Sequence, residues 1–227
     1  MPPRVTRRPA VRSVASSKLP DSLAARLFLL AYDPATGRLV SRSKLGQMLR
    51  AAALIDLQLN GQLVDEDDRA HVKVQAGRPR NAITASVLDD ISASSPRRWR
   101  HWIDRHHRGI LREVRDELVH ARLIKVESHR RFWVIPAERI TLRQPLVRRQ
   151  LLLAATDTLR PARLVTRIDL RDAAIVVLAA TGDLRTVLSK DQRVRHKDRL
   201  AQLAVRVGPV VPALRKSFQA AASGAAG

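Results

Sequence analysis

Residues 104–136 read DRHHRGILREVRDELVHARLIKVESHRRFWVIP. On a wheel of ~100° per residue, Ile110, Leu111, Val114, Leu118 and Ala121 form one apolar stripe, which predicts an amphipathic helix over 107–122. A β-hairpin is predicted over 123–135 with no linker between the two. Arg108, Arg112 and Arg115 fall within roughly 60° of one another on the flank of the stripe, and Arg105 and Arg122 extend the row. Arginine stems can lie along apolar surface while their heads stay in water. The row is therefore either a solvated edge with pairs such as Arg112–Asp116 or a cationic wall for an anionic partner. The return strand opens with Arg130, Arg131, Phe132 and Trp133. Successive side chains alternate sides of a strand. One of the two rings can thus face outward as a shallow membrane anchor, or both can fill the core.

Outward from this stretch the chain reads as more helices. Ser22 or Asp21 can cap a helix through Tyr32, followed by a turn at 33–37. Lys44–Leu59 carries Leu45, Met48, Leu49, Ala52, Ala53 and Ile55 at helical spacing, and Asn60-Gly61 stops it. Residues 62–65 and 71–74 can pair as a small hairpin. Helices are expected at 82–92 and 97–105, the latter with Trp99 and Trp102 on one face. Further helices are expected at 146–155, 170–180 and 191–204, and a last one reaches Phe218. The fold class is mainly α, a single helical domain around a central helix bundle with short β-hairpins. Residues 1–18 carry five cations and no acid and read as a disordered basic tail. The domain spans 19–219, and 220–227 read as a frayed C-terminal tail.

Composition narrows the function. The 227 residues include 42 Lys+Arg against 21 Asp+Glu, a net charge of +21. Such an excess implies an anionic partner and fast electrostatic association, and arginine suits bidentate phosphate contacts. Lipid headgroups and nucleic-acid phosphodiesters both satisfy it. There is no cysteine, so neither disulfide nor thiol chemistry is available, consistent with a reducing compartment. No apolar run approaches the ~18 residues of a membrane span, and the N-terminus lacks the apolar segment of a secretory signal. No phosphate-binding glycine loop, nucleophile elbow or zinc motif is present. Asp104, His106 and His107 do not share one helix face. No catalytic residue, cofactor or metal is assigned, and an enzyme is not expected.

Five segments in order resemble the Golgi phosphoprotein 3 family, phosphatidylinositol 4-phosphate binders with bacterial relatives. They are LPDSLAARLFLLAYDPATGRLV from Leu19, LRAAALIDLQLNGQL over Leu49–Leu63, Val87–Asp90, Leu111–Ile124 with Phe132, and AAIVVLAATGD over Ala173–Asp183. The similarity covers about Leu19 to Phe218. It implies a helical bundle, a hairpin that aids membrane contact or self-association, and a pocket that reads a lipid phosphate. The pocket arginines of that family fall on Arg50 and Arg108. Its second arginine on the long helix falls on Leu111, with Arg112 one residue on, and its pocket tryptophan falls on Ser41.

The residues and the resemblance together give an expected function. This is a peripheral membrane protein, on the cytoplasmic face, that binds anionic phospholipid headgroups through an arginine-lined pocket and serves as an adaptor. Phosphatidylinositol 4-phosphate is the specific candidate. The expected headgroup residues are Arg50, Arg108, Arg112, Arg115 and Ser41, and the expected insertion residues are Phe132 and Trp133. A client protein and a homo-oligomer through the 123–135 hairpin are further candidate partners. The rival reading is nucleic-acid binding, with the long helix and hairpin as a winged-helix module.

Overall fold

Every residue from Leu45 to Leu57 is buried, and a helix buried on all sides must be encircled by other elements. This helix, α2 (Arg42–Leu59), is the axis of the molecule. Around it pack α1 (Leu23–Ala31), α3 (Ala82–Ser92), α4 (Trp99–Asp104), α5 (His107–His120), α7 (Leu170–Thr181) and α10 (Val210–Gly224). The computed structural model describes residues 19–73, 77–131 and 135–224, with side chains 128–138 outside that description. Three more helices complete the shell: α6 (Pro145–Asp157), α8 (Lys190–Arg195) and α9 (Lys197–Val207). The domain is mainly α, as the sequence implies.

Small residues let the shell close on the axis. An added Cβ at Gly46 would sit 2.1 Å from the His107 carbonyl oxygen, so α2 and α5 touch backbone to side-chainless backbone. Ala51, Ala52 and Ala53 continue the narrow face. Trp99, Trp102 and Phe28 are the largest fully buried side chains, and the rest of the core is aliphatic. Trp99 Nε1 reaches Asp65 at 2.5 Å, which satisfies the one polar atom of that indole.

Caps set the helix starts. Ser22 Oγ accepts from the Ala25 N–H, Asn81 Oδ1 from Ile83 and Thr84, and Asp169 Oδ1 from Arg171 and Asp172. Ser189 and Gln192 form a capping box at α8. The helix expected over 191–204 is two pieces, because His196 leaves helical geometry between α8 and α9 (φ −104°, ψ 20°). At the other end, α10 continues to Gly224, so residues 220–224, expected in the tail, are helical. Residues 1–18 and 225–227 lie outside the described residues.

The strands are short except for one pair. β1 (Tyr32–Asp33) and β2 (Arg38–Leu39) clasp a turn, with Tyr32 opposite Leu39. Asp33 accepts hydrogen bonds from Ala35 N–H and Thr36 Oγ1 inside the turn, and Gly37 closes it at φ 67°. β3 (Leu63–Glu66) and β4 (Arg69–Val72) form the expected small hairpin, and β5 (Arg97–Arg98) adds an edge strand beside β4. The long pair is β6 (Ile124–Arg131) with β7 (Ile135–Leu142), antiparallel from Ile124↔Leu142 to Arg131↔Ile135.

The direct exit from α5 into β6 has a specific cause. The Leu123 N–H bonds to Leu118 O at 2.9 Å and the Arg122 N–H to Val119 O at 3.0 Å, while Arg122 is left-handed at φ 55°. That is a Schellman closure. It turns the chain within two residues and points the hairpin back along the flank of α5. Leu123 and Ile124 are buried at its root.

Candidate functional site

Along that flank lies a cavity of about 220 Å³. Its rim carries Arg38, Arg42, Arg108, Arg112 and Arg115, and its floor is Phe28, Leu39, Leu111 and Ile140. Four chain segments build it, the first being α1, which contributes Phe28. The β1–β2 turn presents Arg38. Ser41, left-handed at φ 51°, then redirects the chain so that Arg42 opens α2. The flank of α5 supplies the other three arginines, grouped on one side as the helical wheel requires. Ile140 closes the floor from β7.

The electrostatics are one-sided. Arg115 pairs with Asp116 at 2.9 Å, and Arg112 approaches the same carboxylate at 4.0 Å. Arg38, Arg42 and Arg108 make no hydrogen bond or ion pair among the described residues. Asp33 stands opposite Arg38 across the β1–β2 pair, but its carboxylate accepts from the Ala35 N–H and Thr36 Oγ1 inside the turn, and no further acid occurs in the sequence before Asp56. Guanidinium groups held without partners over an apolar floor are preorganised for a small anion, because their charge is not already spent on a carboxylate.

Two expected headgroup residues sit elsewhere. Arg50 is 3% exposed; its Nε donates to Trp102 O at 3.1 Å, and its Nη2 lies 3.6 Å from Asp90. It faces the Glu113 flank of α5, roughly 140° around the helix from Arg108. The apolar stripe of α5 lies between these two flanks, and Arg50 is not among the residues that line the arginine cavity. Burial lowers the Arg50 pKa, opposed chiefly by Asp90, and the side chain braces α2 against α4 and α3. Arg50→Ala should therefore lower stability by about 1–3 kcal/mol and leave the cleft intact; chemical denaturation alongside a ligand titration separates the two effects. Ser41 does not line the cavity, and its Oγ donates to Asp183 O at 3.3 Å. Phe132 and Trp133 lie outside the described residues.

The wheel grouped Arg108, Arg112 and Arg115, but nothing in it pointed to Arg38 or Arg42. The signal that could have found them is the acid-free run from Pro34 to Ile55, with its cations directly after a turn.

Where the starts of α1, α3 and α7 meet the end of α2, a wider polar cleft of about 600 Å³ contains Arg26, Asn60, Arg80, Asn81 and the Asp56–Arg171 ion pair. Asp56 is 2% exposed. Its Oδ2 accepts from the Leu23 N–H at 2.6 Å at the start of α1, and Oδ1 takes Arg171 of α7. Burial pushes its pKa up to about 6, against the opposing pull of the Leu23 N–H and Arg171.

The architecture is that of a single mainly helical domain with an axial helix buried from Leu45 to Leu57, a long hairpin and a cationic cleft between them. No helix among the described residues is long and apolar enough to cross a membrane. The chain belongs to the Golgi phosphoprotein 3 (GPP34) family, whose profile matches residues 23–221. No curated protein sequence matches it.

Proposed function

We propose that this protein binds the headgroup of an anionic phospholipid at a membrane surface, and does so as an adaptor. Arg38, Arg42 and Arg108 take the phosphate, with Arg112 and Arg115 behind them. The observation that carries this reading is the set of three guanidinium groups over an apolar floor that have no partner among the described residues. The apolar floor keeps water from beneath the guanidinium groups, which strengthens their hold on an anion. The net charge of +21 adds long-range attraction to an anionic leaflet. Membership of the family supports the same direction, and phosphatidylinositol 4-phosphate is one headgroup of this kind.

The nucleic-acid reading is weaker. A recognition helix must present its face to a groove, whereas α5 is packed against α1, α2, α3 and β6. Its arginines border a concave cleft too small for a duplex edge.

The test is vesicle co-sedimentation. Each arginine near an anionic surface contributes about 1 kcal/mol. Arg42→Ala/Arg108→Ala should therefore weaken binding roughly 30-fold, without loss of melting temperature, since both residues are exposed. Equal binding by the double variant and the parent would remove the cleft from the mechanism.

A further inference from the structure

We infer that the arginine cleft recognises a phosphate monoester on a lipid without reading the sugar or polyol that carries it, so that phosphatidic acid is as good a ligand as a phosphorylated inositol lipid. This rests on the lipid-binding reading above and specifies its ligand. Arginine offers five N–H donors and no acceptor. A ring hydroxyl can accept from arginine as well as donate, but the charged phosphate oxygens are the stronger acceptors and take the guanidinium donors first. Reading a hydroxyl proton takes an acceptor, and a site built to bond it discriminates strongly against analogues that lack it. The described lining of the cleft contains no side-chain acceptor: beyond Gly37 it is arginine on the rim and Phe28, Leu39, Leu111 and Ile140 below. Nor does the described lining supply an aromatic face at the mouth on which a ring could stack, because Phe28 is 1% exposed in the floor and Ser41 bonds away to Asp183.

The donors match a terminal phosphate. A monoester presents three non-bridging oxygens to forked guanidinium groups, whereas a diester presents two and carries less charge. Arg38 and Arg42 come from one wall and Arg108 from the other, so one phosphate can be gripped from both sides. The volume of about 220 Å³ holds a phosphate and the first carbons attached to it. In either lipid the rest of the carrier, glycerol or inositol ring, continues from the gripped phosphate towards the membrane outside the arginine rim, where ring hydroxyls keep their water.

The experiment uses the full chain with vesicles matched in surface charge. Four sets carry phosphatidic acid, phosphatidylinositol 4-phosphate, phosphatidylserine or neutral lipid alone. Phosphatidic acid and phosphatidylinositol 4-phosphate should bind within about twofold of each other, and phosphatidylserine several-fold more weakly, as donor-only recognition requires. A preference of about tenfold or more for the inositol lipid would overturn the inference, since it means the ring is read. Equal binding of phosphatidylserine would also overturn it, since only bulk charge is then sensed. Soluble glycerol 3-phosphate supplies the other source of the same chemistry. It should displace the protein only at concentrations far above that of the vesicle lipid. Displacement at equal headgroup concentration would assign the cleft to a free phosphate ester. The Arg42→Ala/Arg108→Ala variant keeps this test apart from the broader one: if it binds every vesicle as the parent does, the cleft reading fails, whatever the lipid ranking.

Discussion

Gly46→Ala is expected to lower the stability of this protein by about 3 kcal/mol or more, the scale of a severe overpacking change in a core. Helix propensity alone argues the reverse, since alanine is better than glycine by ~1 kcal/mol inside a helix. The contact decides between the two. A Cβ at this position would stand 2.1 Å from the His107 carbonyl oxygen and 3.0 Å from its carbon, both backbone atoms that no rotamer change can move. Relief requires sliding α5 off α2, which disturbs Ile110 and Val114 at their buried seats. Gly109→Ala is the control, because a Cβ there meets only the flexible Glu113 side chain, at 3.7 Å. It should gain a few tenths of a kcal/mol to ~1 kcal/mol. Urea denaturation midpoints of the two variants should move in opposite directions. A parent-like midpoint for Gly46→Ala would mean that the α2–α5 crossing is not close-packed.

The second large effect concerns Asp56. Asp56→Ala should cost about 3–5 kcal/mol near neutral pH, as removal of one partner from a buried pair does. It leaves Arg171 without its carboxylate and the Leu23 N–H of α1 without an acceptor. The pH dependence gives an independent check. The folded-state pKa of about 6 lies above the ordinary value of 3.8, so the folded protein holds the proton more tightly than the unfolded chain. Stability from this group is then highest below pH ~4 and falls as pH rises through ~6. The span is on the order of 3 kcal/mol. Asp56→Asn cannot titrate and should flatten this part of the profile while retaining an acceptor oxygen. Denaturation curves at pH 4.5, 6 and 7.5, as about the window these values define, would show the slope in the parent. A parent slope of the opposite sign in this window, unchanged in the Asn variant, would exclude Asp56 as its source.

What could be read from the sequence followed the reach of local physics. Residues 82–92 form a helix at the expected bounds because Asn81 caps it and its apolar spacing is regular. The long helix and its hairpin were visible from a stripe and an alternation. Arg97–Arg98 was not legible as a strand, because two arginines show no alternation and only the pairing with Arg69 and Ala70 makes them one. His196 splits a helical pattern whose residues all tolerate helix, so the break lay in geometry rather than composition. The cleft shows the same division. Three of its arginines share one helix, and a wheel groups them. Arg38 and Arg42 join only after the chain reverses at Gly37 and bends at Ser41. Arg50 illustrates the converse: its alignment on α2 suggested a pocket, but which side of α5 it meets depends on how two helices cross at Gly46.

The β6–β7 hairpin gives the cleft a mechanical property. From Leu142 at its root to Ile135 near its tip, β7 extends about 24 Å at ~3.4 Å per residue. Ile140, in the cleft floor, is only ~7 Å from that root. The strand therefore acts as a lever with its fulcrum beside the arginines. A ~10° swing about the root would move Ile135 by ~4 Å but the floor by ~1 Å at this spacing. Any displacement at Ile135 is geared down more than threefold by this length ratio before it reaches the guanidinium rim. A hairpin pivoting at its root would thus leave the width of the grip beneath it nearly unchanged.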